Sequence, residues 1–315
     1  MKTVALARNA MATRFELLLH GENEAALRAA GEEALGEIDR VESQLSLYLP
    51  TSEIAHVNAR AAAEPVRVSP NVFHLLEHCR QLTHETKNAF DISLGALTRC
   101  WGFMGGLGRV PTSDEINTAR ERTGMRHVEL NPENFTVRFK VPGVILDLGA
   151  IGKGYAIERA VGLLREAGIT SALIHGGTSS VYGIGSPPGT DAWQITLDCP
   201  EPPAGTEKPQ KSDLLVTLRD EALSVSGNQE KSFQQEGKTY GHIMHSRPGM
   251  PASGIMLAAV AMPSVTESDA LSTAAFLMGA HAFVSIAASR PKMRAWFITD
   301  SPEAERPGYF LNRLI

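Results

Sequence analysis

The sequence has no excess of positive charge, few cysteines and no uninterrupted apolar run of transmembrane length. Each shortage removes a class of function. Thirty Lys and Arg stand against 35 Asp and Glu, a formal net charge of −5. No Lys/Arg block forms the stripe that tracks phosphates, so nucleic acid is not an expected partner. Cys79, Cys100 and Cys199 are an odd number without Cys-x-x-Cys spacing, which fits buried thiols in a reducing compartment better than a disulfide framework. A spanning helix needs about 20 consecutive apolar residues, so no membrane segment is expected. Charges interrupt the first ten residues early and leave no signal-peptide core. The chain is therefore expected in the cytoplasm, unless a leader was removed.

What is present is an ordinary globular composition. At 315 residues and 43% hydrophobic, the chain suffices for one large domain or two small ones. Helical spacing of Ala, Leu and Ile marks 22–47, a second helix is expected over 70–86, and a short segment over 91–103. Residues 46–58 read as a polar loop with a short turn, 111–123 as a surface helix opened by Thr112 or Ser113, and 128–140 as a hairpin. Strands are expected at 15–20, 171–174, 193–198, 214–218, 257–262, 294–299 and 309–314. A helix over 266–279 is closed by glycine. Residues 200–212, rich in Pro, Gly, Lys and Glu, read as a surface loop. The alternation lacks the rhythm of a doubly wound sheet, which points to mixed α+β.

The stretch that organises the chain is Val144 to Ala156, where an apolar run leads through Asp147 into a glycine-rich turn and an amphipathic helix. Such a layout brings backbone N–H groups to a phosphate, with Lys153 adding charge; an ordinary strand-to-helix connection reads equally well. It is not a P-loop, which needs glycine at Asp147 and a hydroxyl at Gly154.

Four other stretches carry candidate chemistry. Asp269 and Thr273 fall on one helical face, a carboxylate and a hydroxyl suited to Mg²⁺, although Thr266-x-x-Asp269 also reads as a helix cap. His242 and His245 flank an apolar pair before a Pro/Gly turn, where a histidine can act as a base or stand idle in solvent. His74-Leu-Leu-Glu-His78 matches an inverted zinc-peptidase pattern, but its neighbours Leu75, Leu76 and Cys79 read as a core face. The prolines in Gly183-Ile-Gly-Ser-Pro-Pro-Gly189 exclude a dinucleotide turn. Tyr48, in a loop, is either a packing plug or a ring that stacks on a planar ligand.

Taken together, these stretches resemble the FAD:protein FMN transferase family, the ApbE-type flavin transferases, from about Met11 to Gly279. Met11-Ala-Thr13 resembles the family's Met-Gly-Thr, with alanine in place of glycine. Ser46-Leu-Tyr48, Ser52-Glu-Ile and Asn58 are similar to the segment that lies against the flavin. Phe90-Asp91-Ile-Ser-Leu-Gly and Trp101-Gly-Phe match the next block. Asp147-Leu-Gly-Ala-Ile-Gly-Lys-Gly154 is similar to Asp-Leu-Gly-Gly-Ile-Ala-Lys-Gly, His175-Gly176-Gly177 to a glycine turn at the cofactor, His242-Ile to His-[Ile/Val], and Asp269-Ala-Leu-Ser-Thr273 to Asp-Ala-Leu-Ala-Thr.

The resemblance implies an α+β, T-fold-related architecture of mixed sheets with packed helices. It implies a single flavin transferase domain over 1–315, or two subdomains with the FAD site between them. It implies Mg²⁺-dependent transfer of FMN from FAD to a Thr or Ser of an acceptor flavoprotein, with AMP released. Hydrolysis of FAD to FMN and AMP, or FAD binding without catalysis, are the alternatives. The roles implied are His242 as base, Asp269, Thr273 and the Gly152 carbonyl as metal ligands, and Met11, Tyr48, Asn58, Asp91, Asp147, Lys153, Gly176 and Gly177 at FAD. The chain has no Ser-Gly-Ala-Thr-like acceptor of its own, so the acceptor is expected on another protein. His245-Ser-Arg-Pro-Gly249 replaces the family's Asp-Pro-Arg-Thr-Gly, which bears on recognition of that acceptor.

Overall fold

The computed structural model describes residues 1–198, 215–227, 231–300 and 309–314. The expected loop at 200–212 and Cys199 lie outside them. The architecture is mixed α+β. Two compact units divide the chain: Met1–Glu42, Ile151–Ser226 and Gly254–Ile315 form the first, and Ser43–Ala150 with Gly227–Ser253 the second.

The chain opens with a hairpin, β1 (Lys2–Ala10) and β2 (Thr13–Gly21), followed by α1 (Glu24–Leu45). The second unit then supplies α2 (Glu53–Arg60), β3 (Val66–Arg67), α3 (Pro70–Glu85), α4 (Gly95–Cys100), α5 (Ser113–Glu121), β4 (Val128–Asn131) and β5 (Thr136–Phe139). Next in the first unit come α6 (Gly152–Glu166), β6 (Ala172–Gly176), β7 (Ser180–Ile184), β8 (Trp193–Thr196), β9 (Leu215–Leu218) and β10 (Glu221–Gly227). Two small hairpins of the second unit follow, β11 (Ser232–Gln235) with β12 (Lys238–Gly241), and β13 (Met244–His245) with β14 (Met250–Pro251). The first unit closes with β15 (Ile255–Met262), α7 (Val265–Ala288), β16 (Arg294–Asp300) and β17 (Tyr309–Leu314).

The first unit is built on one sheet in the order β1-β2-β6-β7-β10-β15-β16-β17. Its first turn has two residues, Met11 at φ +50° and Ala12 at φ +57°, between the paired Ala10 and Thr13. Two successive left-handed residues make the tight turn whose twist suits a hairpin, a conformation in which alanine is strained and glycine is not. Along β15, Leu257, Ala259 and Ala261 pack with Trp193, Val216, Leu218, Leu223 and Trp296. Ala258 and Val260 alternate onto the other face and are fully buried. A strand buried on both faces reads as an unbroken apolar run, as Ile255–Met262 does.

On that other face lie α6 and α7, whose N-termini cap one another. Glu158 of α6 accepts from the Ser264 hydroxyl at 2.9 Å and the Thr266 N–H at 2.7 Å, at the start of α7. Asp269 of α7 accepts from the Gly154 N–H, in the first turn of α6, at 2.8 Å. Each helix thus places a carboxylate against the positive end of the other. α7 is long and apolar enough by length and composition to cross a membrane, although polar residues interrupt it. The helix breaks at Gly279 (φ +73°), and its first half is largely buried, as suits a core helix. The expected glycine stop is therefore there, with a further helical stretch beyond it.

In the second unit, Leu97, Trp101, Ala119 and Met244 form a core to which Phe103, Phe233 and Tyr240 add. Thr112 opens α5 with a complete capping box to Glu115. The segment 46–58 is not all loop: Ser52 accepts from the Ala55 N–H at 3.0 Å and starts α2, which buries Ile54 and Val57. The apolar run before Asp147 is not a ladder strand but a single bridge, Leu94 to Ile145.

Candidate functional site

The expected metal ligands sit in the first unit around the start of α6. Asp269 is only 4% exposed. Its Oδ2 accepts from the Gly154 N–H at 2.8 Å and its Oδ1 from the Ser180 hydroxyl at 3.2 Å. The cap reading of Thr266-x-x-Asp269 is therefore wrong in detail. Ser264 is the N-cap of α7, accepting from the Glu267 N–H, while Asp269 caps a different helix. Thr273 lies one turn beyond Asp269, its Oγ1 3.2 Å from the Ser226 hydroxyl.

Glycine at 154 is required by this contact. A Cβ there would meet the Val265 carbonyl oxygen at 2.5 Å and the Asp269 Cβ at 2.6 Å. Gly152 and Lys153 precede it at the start of α6, whose N-cap Ile151 offers no side-chain cap. Backbone N–H groups at a helix start, with the dipole behind them, suit an anion. In the same unit, the Gly177 N–H donates to the Arg14 carbonyl at 3.0 Å. A Cβ on Gly177 would stand 2.4 Å from the Thr13 hydroxyl, so the Gly176-Gly177 turn packs against the chain just after Met11.

The remaining expected residues belong to the second unit. Tyr48 is 63% exposed, an aromatic face available to a planar ligand. Burial, and after it the Asp147 charge, pushes its hydroxyl above the usual tyrosine range. Asp147 accepts from the Gly149 N–H at 2.9 Å, an Asx turn that shapes the glycine-rich segment. Asn58 plays a supporting part. Its amide donates to the Leu146 carbonyl at 2.9 Å and accepts from the Leu146 N–H at 2.7 Å, fixing the residue before Asp147.

Asp91 is buried, with Oδ1 accepting from the Ser93 N–H and hydroxyl while Oδ2 has no hydrogen-bond partner. Burial pushes its carboxyl above the ordinary range, against the pull of the Ser93 bonds. His242 follows β12. Its Nδ1 is 3.2 Å from the Lys231 carbonyl, which can only accept, so the neutral ring carries its proton on Nδ1 and Nε2 is its basic nitrogen. That is the tautomer a general base needs. His245 is half-buried, which pushes its imidazole below the ordinary range. The altered loop after it is held by Trp101 Nε1–H on the Gly249 carbonyl at 2.9 Å and by Ser246 on the Asn88 carbonyl at 3.1 Å.

The zinc-peptidase pattern does not assemble. His74 is exposed, 3.3 Å from Glu77, and among the described residues no three His, Cys, Asp or Glu side chains form a metal cluster. A 780 Å³ cavity in the second unit is lined by Asn58, Arg99, Arg122, Val144 and Ile145, and by no other residue expected at FAD. Four residues at the site were not foreseen: Glu158, Ser180, Ser226 and Ser272. Ser264-Val-Thr-Glu267, a capping-box pattern, was a readable sign of where α7 begins.

The ApbE family model matches residues 11–297. An FAD:protein FMN transferase of Treponema pallidum is 31% identical over 288 residues, 87% of this chain and 78% of that protein. One of Vibrio cholerae is 28% identical over 263 residues, 80% and 75% of the two chains. The crystal structure of the ApbE protein from Thermotoga maritima superposes with a TM-score of 0.83 at 26% identity, covering 95% of this chain and 94% of the other. The apo flavinyl transferase ApbE of Pseudomonas stutzeri gives 0.80 at 26%, covering 99% and 94%.

Proposed function

The chain belongs to the ApbE family, and from that membership we propose that it is an FAD:protein FMN transferase, moving FMN from FAD to a Thr or Ser hydroxyl of an acceptor flavoprotein. The products are AMP and a protein joined to FMN through a phosphoester. Mg²⁺ is the expected metal, and the expected acceptor is a flavoprotein that serves as a redox or electron-transfer subunit and carries the Thr or Ser in a flavinylation motif.

One observation carries the reading: a buried carboxylate, Asp269, held by a backbone N–H and a serine hydroxyl, one turn from the Thr273 hydroxyl. A carboxylate oxygen carries two lone pairs and can accept a hydrogen bond and meet a cation at once. With the carbonyl of Gly152, two residues before the Gly154 that Asp269 holds, the donor set is all oxygen, the kind Mg²⁺ selects. Bound there, Mg²⁺ would neutralise charge that builds on the phosphate of the departing AMP. The N–H groups at the start of α6 and Lys153 would hold the pyrophosphate. Tyr48 would stack on a ring of FAD.

His242 Nε2 would take the proton from the acceptor hydroxyl as its oxygen attacks the FMN phosphorus. The pyrophosphate P–O bond breaks, and the electron pair leaves with AMP. A base already in the right tautomer needs no rearrangement before it acts.

The test is AMP release from FAD, with and without Mg²⁺, in the presence of a threonine-bearing acceptor, for wild type and His242→Ala. AMP matched by protein-bound flavin, both absent from the variant, is the expected result. Free FMN with an unmodified acceptor would mean a pyrophosphatase. FAD held without any AMP would mean a binding protein, and either outcome overturns the transferase reading.

A further inference from the structure

We propose that Ser226 is a positioning residue that sets the direction of the Thr273 hydroxyl, turning its oxygen into an acceptor for a divalent cation. This rests on the metal reading of Asp269 and Thr273 above.

The argument is the polarity of a hydroxyl relay. The Ser272 hydroxyl donates to the backbone carbonyl of Asp269 at 2.8 Å, and a carbonyl can only accept. Each serine has one proton, so Ser272 cannot also donate to Ser226, whose Oγ lies 2.8 Å away. The Ser226 proton therefore goes to Ser272. Ser226 then has none left for Thr273 Oγ1 at 3.2 Å, and it is Thr273 that donates. The Thr273 proton points at β10, and the lone pairs of its oxygen point elsewhere. A hydroxyl oxygen binds a cation only with its proton turned away, so the relay prepares the ligand before the cation arrives.

The surroundings support a purpose beyond packing. Ser180, Ser224 and Ser272 are all buried, with Ser224 and Ser272 fully so. Ser224 reaches Ser180 at 3.5 Å, and Ser180 donates to Asp269 Oδ1 at 3.2 Å. Hydroxyls on β7 and β10 thus meet both side chains expected to bind metal, one residue from each strand touching one of them. Buried hydroxyls destabilise a core unless they are bonded, and apolar side chains would fill these positions more simply.

Mn²⁺ binding read by electron paramagnetic resonance, with the full chain in the absence and presence of FAD, tests the proposal. Ser226→Ala should weaken Mn²⁺ binding about tenfold, roughly the worth of one hydrogen bond at the ligand. Ser226→Thr, which keeps the hydroxyl, should restore it. Ser272→Ala does not touch Thr273 but frees the Ser226 proton to turn towards it, and should weaken binding in the same direction. In a Thr273→Ala background, Ser226→Ala should add nothing. Mn²⁺ affinity within twofold of wild type for both serine-to-alanine variants overturns the relay. So does a loss that Ser226→Thr cannot restore and that follows a lowered unfolding midpoint. If wild type itself binds no Mn²⁺, it is the metal reading that fails.

Discussion

Replacing Gly154 by alanine tests the α6–α7 contact most sharply. The added Cβ would sit 2.5 Å from the Val265 carbonyl oxygen and 2.6 Å from the Asp269 Cβ, a backbone atom and a side-chain stem that have no rotamer to escape into. The first turn of α6 must back away, stretching the 2.8 Å bond from the Gly154 N–H to Asp269. Overpacking of this kind costs about 1–3 kcal/mol. Loss of a hydrogen bond to a charged group costs about 1.5–3 kcal/mol. The helix propensity of alanine over glycine returns about 1 kcal/mol, leaving a net loss of about 1.5–5 kcal/mol. Gly162, two turns along the same helix, has nothing within 4 Å of an added Cβ, so Gly162→Ala should gain close to the full propensity of about 1 kcal/mol. Urea unfolding of the two variants beside wild type separates them by the sign of the midpoint shift. Gly154→Ala as stable as wild type, or more so, would refute the packing argument.

Ala12 sits at φ +57° in a tight turn, so Ala12→Gly should relieve left-handed strain and, after the extra entropy of glycine, stabilise by about 0.5–1 kcal/mol; an unchanged midpoint contradicts the turn assignment. Glu158→Ala removes the acceptor for the Ser264 hydroxyl and Thr266 N–H, which should cost about 1–2 kcal/mol in the same unfolding assay, and a neutral result would deny the cap. Burial holds the His245 imidazole below its ordinary 6.5, so the unfolded chain takes up a proton at higher pH than the folded one. Its contribution is therefore full above about pH 6.5 and declines as pH falls through the window beneath, and His245→Gln should flatten that part of the stability profile. Equal slopes for the two proteins from pH 7.5 to 5 would count against it.

The elements that could be read from the sequence are those whose signals are local. α1 and α3 show helical spacing along their buried faces, α3 begins on a proline, and the Thr112 box fixes the start of α5. β1 escaped because Arg8 interrupts its alternation of Val4, Leu6 and Ala10. The structure pairs that arginine with Glu32 at 3.0 Å and with Asp39, both on α1, so a charge on the buried side of a strand is neutralised by a helix. α2 escaped because eight residues with two buried side chains carry too little period to count, although Ser52 was there as its cap. β11 and β12 carry no apolar alternation at all, and their turn depends on Glu236 and Gly237 both adopting positive φ.

The site divides along the same line. The motifs pointed to Asp269, Thr273, His242 and the glycine turn as candidates, because each is a short run of residues. What Asp269 does for α6 was not readable, since its partner Gly154 is 115 residues earlier and only the fold brings the two together. The serines were hidden for a different reason. On β10 the alternate positions Leu223 and Val225 pack into the apolar face of the sheet, as patterning requires, and Ala222, Ser224 and Ser226 fall on the face towards the helices. Read by alternation alone, those serines suggest a strand with one wet side. The structure buries that side, with Ser224 fully enclosed. A sheet face that is polar in sequence and dry in the fold has to be bonded across to something, and here the partners on α7 are Asp269, Ser272 and Thr273. Departure from patterning is where a chain spends stability on something other than folding, and on this strand it falls at the oxygen ligands of the expected metal.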